Sequence, residues 1–182
     1  MTPAIDRKWL DSRNACAEGK EWYLAHCDPD PIIGVRQLLD GGHYEWANWL
    51  LVGIFTQVEN VSYAVYAASQ VLDVYEAQYP DDGRPRQAIA AARKYLRQPT
   101  AAAYAAAYAA ARAARAADAA AAATAAAYAA DTADTAATAY SAYAARAVRA
   151  AAACVDAQKK IQRRIILHGV RILRERDSHE RF

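Results

Sequence analysis

The stretch NVSYAVYAASQVLDVYEAQY, residues 60–79, decides the fold class. Val61, Val65, Ala68, Leu72, Tyr75 and Tyr79 follow one another at steps of four and three, the spacing that lines one face of an α-helix. Asn60, just ahead, offers a side-chain oxygen to the unsatisfied N–H groups of the first turn and is the expected cap. Downstream, YPDDGRPR at 79–86 reads as a turn, with Pro85 in the first turn of a further helix to about Arg97. Upstream, Trp46, Trp49, Leu50, Ile54 and Phe55 mark a helix with a broad apolar face. Before it, a short helix over 32–39 is closed by Gly41–Gly42. A first helix over 14–26, capped by Ser12, is expected to break at the DPDP run, residues 28–31, because proline disfavours helical geometry in the residue before it. No segment alternates with the period of a strand. The chain therefore reads as all-α, a multi-helix bundle.

Residues 100–153 are about two-thirds alanine and contain no glycine or proline. Alanine is the best helix former, so this segment is predicted helical throughout. Unbroken as far as His168 it would be roughly 100 Å long at 1.5 Å per residue. A break is expected at Asp131, Thr132, Asp134 and Thr135, which cap helices well and sit poorly inside them, making a long alanine-rich helical hairpin. The alternative is one continuous helix. Alanine also lets helices approach closely, leaving larger residues as spaced stripes. Tyr104, Tyr108, Arg112 and Arg115 form such a stripe, of residue types that often anchor interfaces. The last helix, about 156–175, puts Ile161, Ile165 and Ile172 on one side and Lys160, Arg164, His168 and Arg171 on another, with a kink possible at Gly169. The whole of 1–182 reads as one helical domain: an aromatic-rich half at 1–99, then alanine-rich helices and a basic C-terminal helix.

The formal net charge of +2 argues against a chain built mainly to hold nucleic acid, although the basic last helix leaves weak nucleic-acid binding open. Cys16, Cys27 and Cys154 are odd in number and form no CxxC pair, which favours free thiols in a cytoplasmic setting. The opening MTPAIDRKWLDSRN is too charged for a signal peptide, and the apolar run at 49–55 is too short to span a bilayer. His26 and Cys27 are chain neighbours whose side chains diverge on a helix, so they make a poor nucleophile–base pair. With scattered His and Cys and no phosphate-binding, nucleotide or hydrolase motif, the expectation is no catalytic residue, no metal and no cofactor. Asp28, Asp30, Asp40 and Glu45 form an acidic patch near two loops, a solvated surface or a face for a basic partner.

Four runs carry a more specific signal: CAEGKEW at 16–22, WANWLL at 46–51, YPDDGRPRQAI at 79–89 and QRRI at 162–165. Together with the alanine-rich stretch between them, they resemble the predicted all-α immunity-protein family of bacterial polymorphic toxin systems, and the resemblance covers most of the chain. It implies a protein that binds and blocks a toxin and carries no catalytic residues. A neighbouring reading is a phage-encoded inhibitor of a host defence nuclease complex, of anti-CRISPR type. In either case the expected partner is a protein. The expected contact residues are Tyr104, Tyr108, Arg112 and Arg115 on the stripe and Lys160, Arg164 and Arg171 on the last helix.

Overall fold

The computed structural model describes residues 2–70, 72–105, 107 and 155–179, and every regular element among them is a helix. The fold is all-α. Tyr108, Arg112, Arg115, Cys154, the Asp131–Thr135 cluster and the expected hairpin lie outside the described residues. The chain divides into two compact units, one formed by residues 1–55 and 162–182, the other by 56–161.

In the first unit, α1 (Arg7–Ser12) is capped by Asp6, whose carboxylate accepts from the Trp9 N–H at 2.7 Å. Ser12 ends this helix instead of capping the next, correcting the sequence expectation. Asn14 takes a left-handed φ of 55°, and the Ala15 N–H returns to the Leu10 carbonyl, closing α1 within six residues. Cys16 then caps α2 (Ala17–His26), its Sγ accepting from the Gly19 N–H at 3.4 Å. The proline run does break the chain. Asp30 caps α3 (Pro31–Asp40), with its Oδ1 receiving the Ile32 and Ile33 N–H groups and Pro31 in the first turn. Gly42, at φ +81°, supplies the left-handed turn after α3 and leads into α4 (Tyr44–Ile54). The core of these helices is Leu10, Tyr23, Val35, Leu38, Leu50 and Leu51 with their neighbours.

In the second unit, α5 (Gln57–Ser69) begins one turn earlier than expected. Thr56 and Glu59 form a capping box, so Asn60 is not the cap. The 60–79 stretch is also two helices: α5 ends at Ser69, whose hydroxyl bonds back to the Val65 carbonyl, and α6 (Leu72–Gln78) follows. α7 (Arg84–Arg97) packs against α5. Their buried faces are largely small: Ala64, Ala67 and Ala68 on α5, Ala88 and Ala92 on α7, with Val61, Tyr63, Ile89 and Tyr95 filling the remaining volume. Alanine thus serves here as the close-packing residue that the sequence suggested for the later segment.

α8 (Val155–His179) is a single helix that runs through Gly169 without interruption. From Gln162 onward it belongs to the first unit. Its buried stripe is Ile165, Ile166, Val170 and Leu173, while Ile161 and Ile172 are half-buried, so the apolar face is rotated from the expected one. Thr2 fastens the chain start to this helix, its hydroxyl donating to Asp177 at 2.8 Å. The packing makes a direct prediction. Ala92 is fully buried and Ala90, two residues away, is exposed. Ala92→Leu should overpack the α5–α7 contact and cost about 1–3 kcal/mol in denaturant unfolding, while Ala90→Leu stays within about 0.5 kcal/mol of wild type.

Candidate partner-binding surfaces

Lys160, Arg164 and Arg171 are exposed on one face of α8, with Lys159, Arg163 and Arg174 exposed beside them. Spacings of four, seven and eleven residues from Lys160 put Arg164, the Leu167–His168 step and Arg171 along one ridge. The ridge is tied to its surroundings by local contacts. Arg163 donates to Asp40 at 3.2 Å, and Arg171 shares a hydrogen bond with His168. His168 is held below its ordinary pKa by burial first and by the Arg171 charge second, so the ridge gains little charge from it at neutral pH. The ridge suits carboxylates or other anionic groups on a partner.

Of the aromatic–arginine stripe, Tyr104 alone is described. It stands on a helical stretch over 101–105, half-buried, with its ring edge-on to Tyr95 at 5.6 Å. That contact fixes the ring against α7 and leaves part of it accessible.

The first unit carries a surface that the sequence reading missed. All four tryptophans of the chain lie between residues 9 and 49, and none is buried. Trp22 of α2 stacks on His26 at 4.6 Å and meets His43 at 4.1 Å. His43 lies flat on Trp46, at 4.2 Å and 5° between planes. Trp49 meets Trp9 edge to face at 6.0 Å, and the Arg13 guanidinium stands 5.6 Å over the Trp9 ring. Glycines admit these rings. A Cβ on Gly19 would stand 3.3 Å from Trp46, one on Gly41 2.9 Å from Trp22, and one on Gly53 3.1 Å from Trp9. A cavity of about 230 Å³ opens among Trp46, Trp49, Leu10, Cys16 and Tyr23. The helical pairs Trp22/His26 and His43/Trp46 were legible as i,i+4 and i,i+3 neighbours; their joining across α2 and α4 was not.

The turn after α6 is built on Asp82. Its carboxylate accepts from the Tyr75 hydroxyl at 2.7 Å, from Arg84 Nε at 2.7 Å and from the Arg84 backbone N–H at 3.1 Å. Arg86 pairs with Glu76 across the same turn. An open depression of about 680 Å³ lies over this turn, lined by Tyr79, Asp81, Gln87 and their neighbours. The most specific of the four sequence runs therefore has a scaffold role in fixing α6 to α7. Cys16 is an exposed cap and Cys27 is half-buried, its thiol pushed up to about 11 by burial. Among the described residues no three His, Cys, Asp or Glu side chains are grouped to hold a metal ion, and no helix is long and apolar enough to cross a membrane.

Exposed cations on one helix and half-exposed indoles on others offer contact area to another macromolecule. The family described as Imm-5 like putative immunity protein matches residues 52–168, more than half of the chain, and the chain belongs to it. The match includes the 79–89 and 162–165 runs. It leaves out the 16–22 and 46–51 runs, and with them all four tryptophans. No curated protein and no solved structure matches the chain.

The Asp82 cluster predicts a pH signature. The Arg84 hydrogen bond is the main cause that holds this carboxyl well below the usual range; burial opposes it, and the Tyr75 hydroxyl reinforces it. A lowered folded pKa contributes stability that is complete above the ordinary carboxylate pKa of about 4 and fades as pH falls toward the folded value. Asp82→Asn should therefore cost about 1–2 kcal/mol near pH 7, discounted for the half-exposed Arg84, and progressively less below about pH 4. Thermal melts of both proteins across that range check it.

Proposed function

We propose that this protein is a non-catalytic immunity protein that neutralises a bacterial toxin by binding it one to one. The family match over residues 52–168 carries this reading. The exposed ridge on α8 supports it, because Lys160, Arg164 and Arg171 present cations along one helix face where an acidic patch of a partner could meet them. We place the contact on that ridge and on the stripe of Tyr104, Tyr108, Arg112 and Arg115, with the aromatic residues as anchors and the cations as the steering rim.

The division of labour sets the test. Where a toxin gene adjoins this gene, that toxin is expressed with and without the protein, and complex formation is followed by surface binding kinetics. Wild type should restore growth. Joint reversal of Lys160, Arg164 and Arg171 to glutamate should slow association by more than tenfold and weaken its dependence on salt. Alanine at Tyr104, Tyr108, Arg112 and Arg115 should speed dissociation by more than tenfold, which corresponds to about 1.4 kcal/mol. Both variants should keep the wild-type helix signal. Failure of the wild-type protein to protect against that toxin would overturn the functional reading, and unchanged kinetics in both variants would overturn the surface assignment.

A further inference from the structure

The cavity beside Trp46 and Trp49 lies wholly within the first unit and reaches its core. Its floor is made of buried side chains: Leu10 of α1, Tyr23 of α2, Leu38 of α3 and Leu50 of α4. Its walls are the indoles of Trp46 and Trp49, which stand three residues apart on α4 and therefore share a face of that helix. Its rim is the α1–α2 connection, where Asn14 and Cys16 are exposed and Ala15 is half-buried. The lining is made of Leu, Ala, Gly, Trp, Tyr, Asn and Cys, with no Asp, Glu, Lys, Arg or His.

Neighbouring rings hold both walls: His43 is stacked on Trp46, and Trp9 meets Trp49 edge to face. Gly19 also lines the cavity. A Cβ there would stand 3.0 Å from the Cys16 Sγ and 3.3 Å from Trp46, so a larger residue would crowd this side. Side chains already fixed in the free protein lose little freedom when a ligand arrives. The polar groups of Tyr23 and Cys16 are committed within the fold, to the Asp28 carbonyl and the Gly19 N–H. Asn14, exposed at the rim, brings a side-chain amide to the opening. The volume is about 230 Å³. An apolar cavity of about 150 Å³ already admits benzene, so this one suits a ring system of one or two rings and is too small for a stretch of polypeptide.

We propose that this cavity is a small-molecule binding site for a neutral, flat aromatic compound of one or two rings. The ring system lies against the Trp46 and Trp49 indoles with its apolar edge on Leu10, Leu38 and Leu50, and one polar atom of the compound faces the Asn14 amide. Charged compounds are disfavoured, because the lining offers no opposite charge and a buried unpaired charge is far more costly than a buried polar atom with a partner. The site uses residues 10–50 alone and does not need the toxin reading, so either can fail without the other.

The probe is indole, titrated into the full-length protein and followed by proton–nitrogen correlation NMR, in which each tryptophan gives its own Nε1–H signal. Saturable one-to-one shifts are expected at Trp46 and Trp49 and at the Ala15, Cys16 and Gly19 amides, with a Kd on the order of 0.1–1 mM. Benzoate and benzylammonium, similar in size but charged, should leave these signals in place. Ala15→Leu fills the cavity from a position outside the helices and should raise the Kd more than tenfold with an unchanged circular dichroism spectrum. A second readout needs no variant: bound indole should slow alkylation of Cys16 by iodoacetamide more than twofold and leave Cys27, which is not part of the lining, at its original rate. The absence of saturable shifts, equal binding of the charged compounds, an unchanged Kd in folded Ala15→Leu or an unchanged Cys16 rate would each overturn the proposal. A dimer of this chain in sedimentation that indole dissociates would overturn it too, by making a side chain of a second copy the occupant.

Discussion

The phenol of Tyr23 lies across α3 at Gly34, and the arrangement of α1–α4 depends on that contact. A Cβ on Gly34 would overlap the Tyr23 hydroxyl, would stand 2.8 Å from its Cζ, and would press on the Asp28 carbonyl at 3.0 Å. Only glycine leaves room for the ring to pass. The hydroxyl donates to the Asp28 carbonyl at 2.9 Å, satisfying both groups in a buried position. Burial pushes the Tyr23 phenol up, with the nearby Cys27 and Asp28 adding to it, so the group remains a protonated donor through the physiological range. The cost of glycine inside a helix, about 1 kcal/mol against alanine, is offset by the close approach it permits.

With α2 laid against α3 in this way, the tryptophans of α2 and α4 meet. Gly19 and Gly41 repeat the device at the surface, letting Trp46 and Trp22 lie down on neighbouring backbone. The result is a set of indoles and imidazoles that pack against one another without being buried. Large aromatic groups held rigid and half-exposed lose little conformational freedom on binding, which makes them efficient contact residues. The α8 ridge is prepared by a different route. Ile165, Ile166, Val170 and Leu173 bury one side of the helix, and the cations are presented on the other because the helical period leaves them there. One surface is thus aromatic, the other cationic, and only the second falls within the family match, in part.

Much of the fold was legible. The 3.6-residue periodicity gave the helices, Gly41–Gly42 gave the end of α3, and Pro85 gave the start of α7, since each is a local backbone effect. Two boundaries were misread for physical reasons. The apolar spacing from Val61 to Tyr79 stays in phase across the break after Ser69, so periodicity cannot reveal it. Cys16 is a poor cap by residue type, and Asn14 closes α1 with a left-handed φ that the hydrophobic pattern does not encode. The capping box at Thr56 and Glu59 is written in the sequence as a T-x-x-E pattern, and it starts the helix one turn ahead of Asn60. Of the surface, the basic ridge was readable because it follows from one helix. The aromatic face was not, because His43 reaches Trp22 and Trp9 reaches Trp49 only through tertiary packing.

The most direct test of this account is the unfolding free energy of Gly34→Ala, measured in denaturant alongside the near-ultraviolet signal of the tryptophans. Replacing a glycine inside a helix by alanine ordinarily stabilises by about 0.5–1 kcal/mol. If the Tyr23 ring occupies the space above Gly34, the sign reverses: a loss of about 1–3 kcal/mol and a weakened aromatic signal are expected, as in other overpacked cores. Stability that rises, or stays level with an unchanged aromatic signal, would contradict the account, because the ring would then not depend on the missing Cβ.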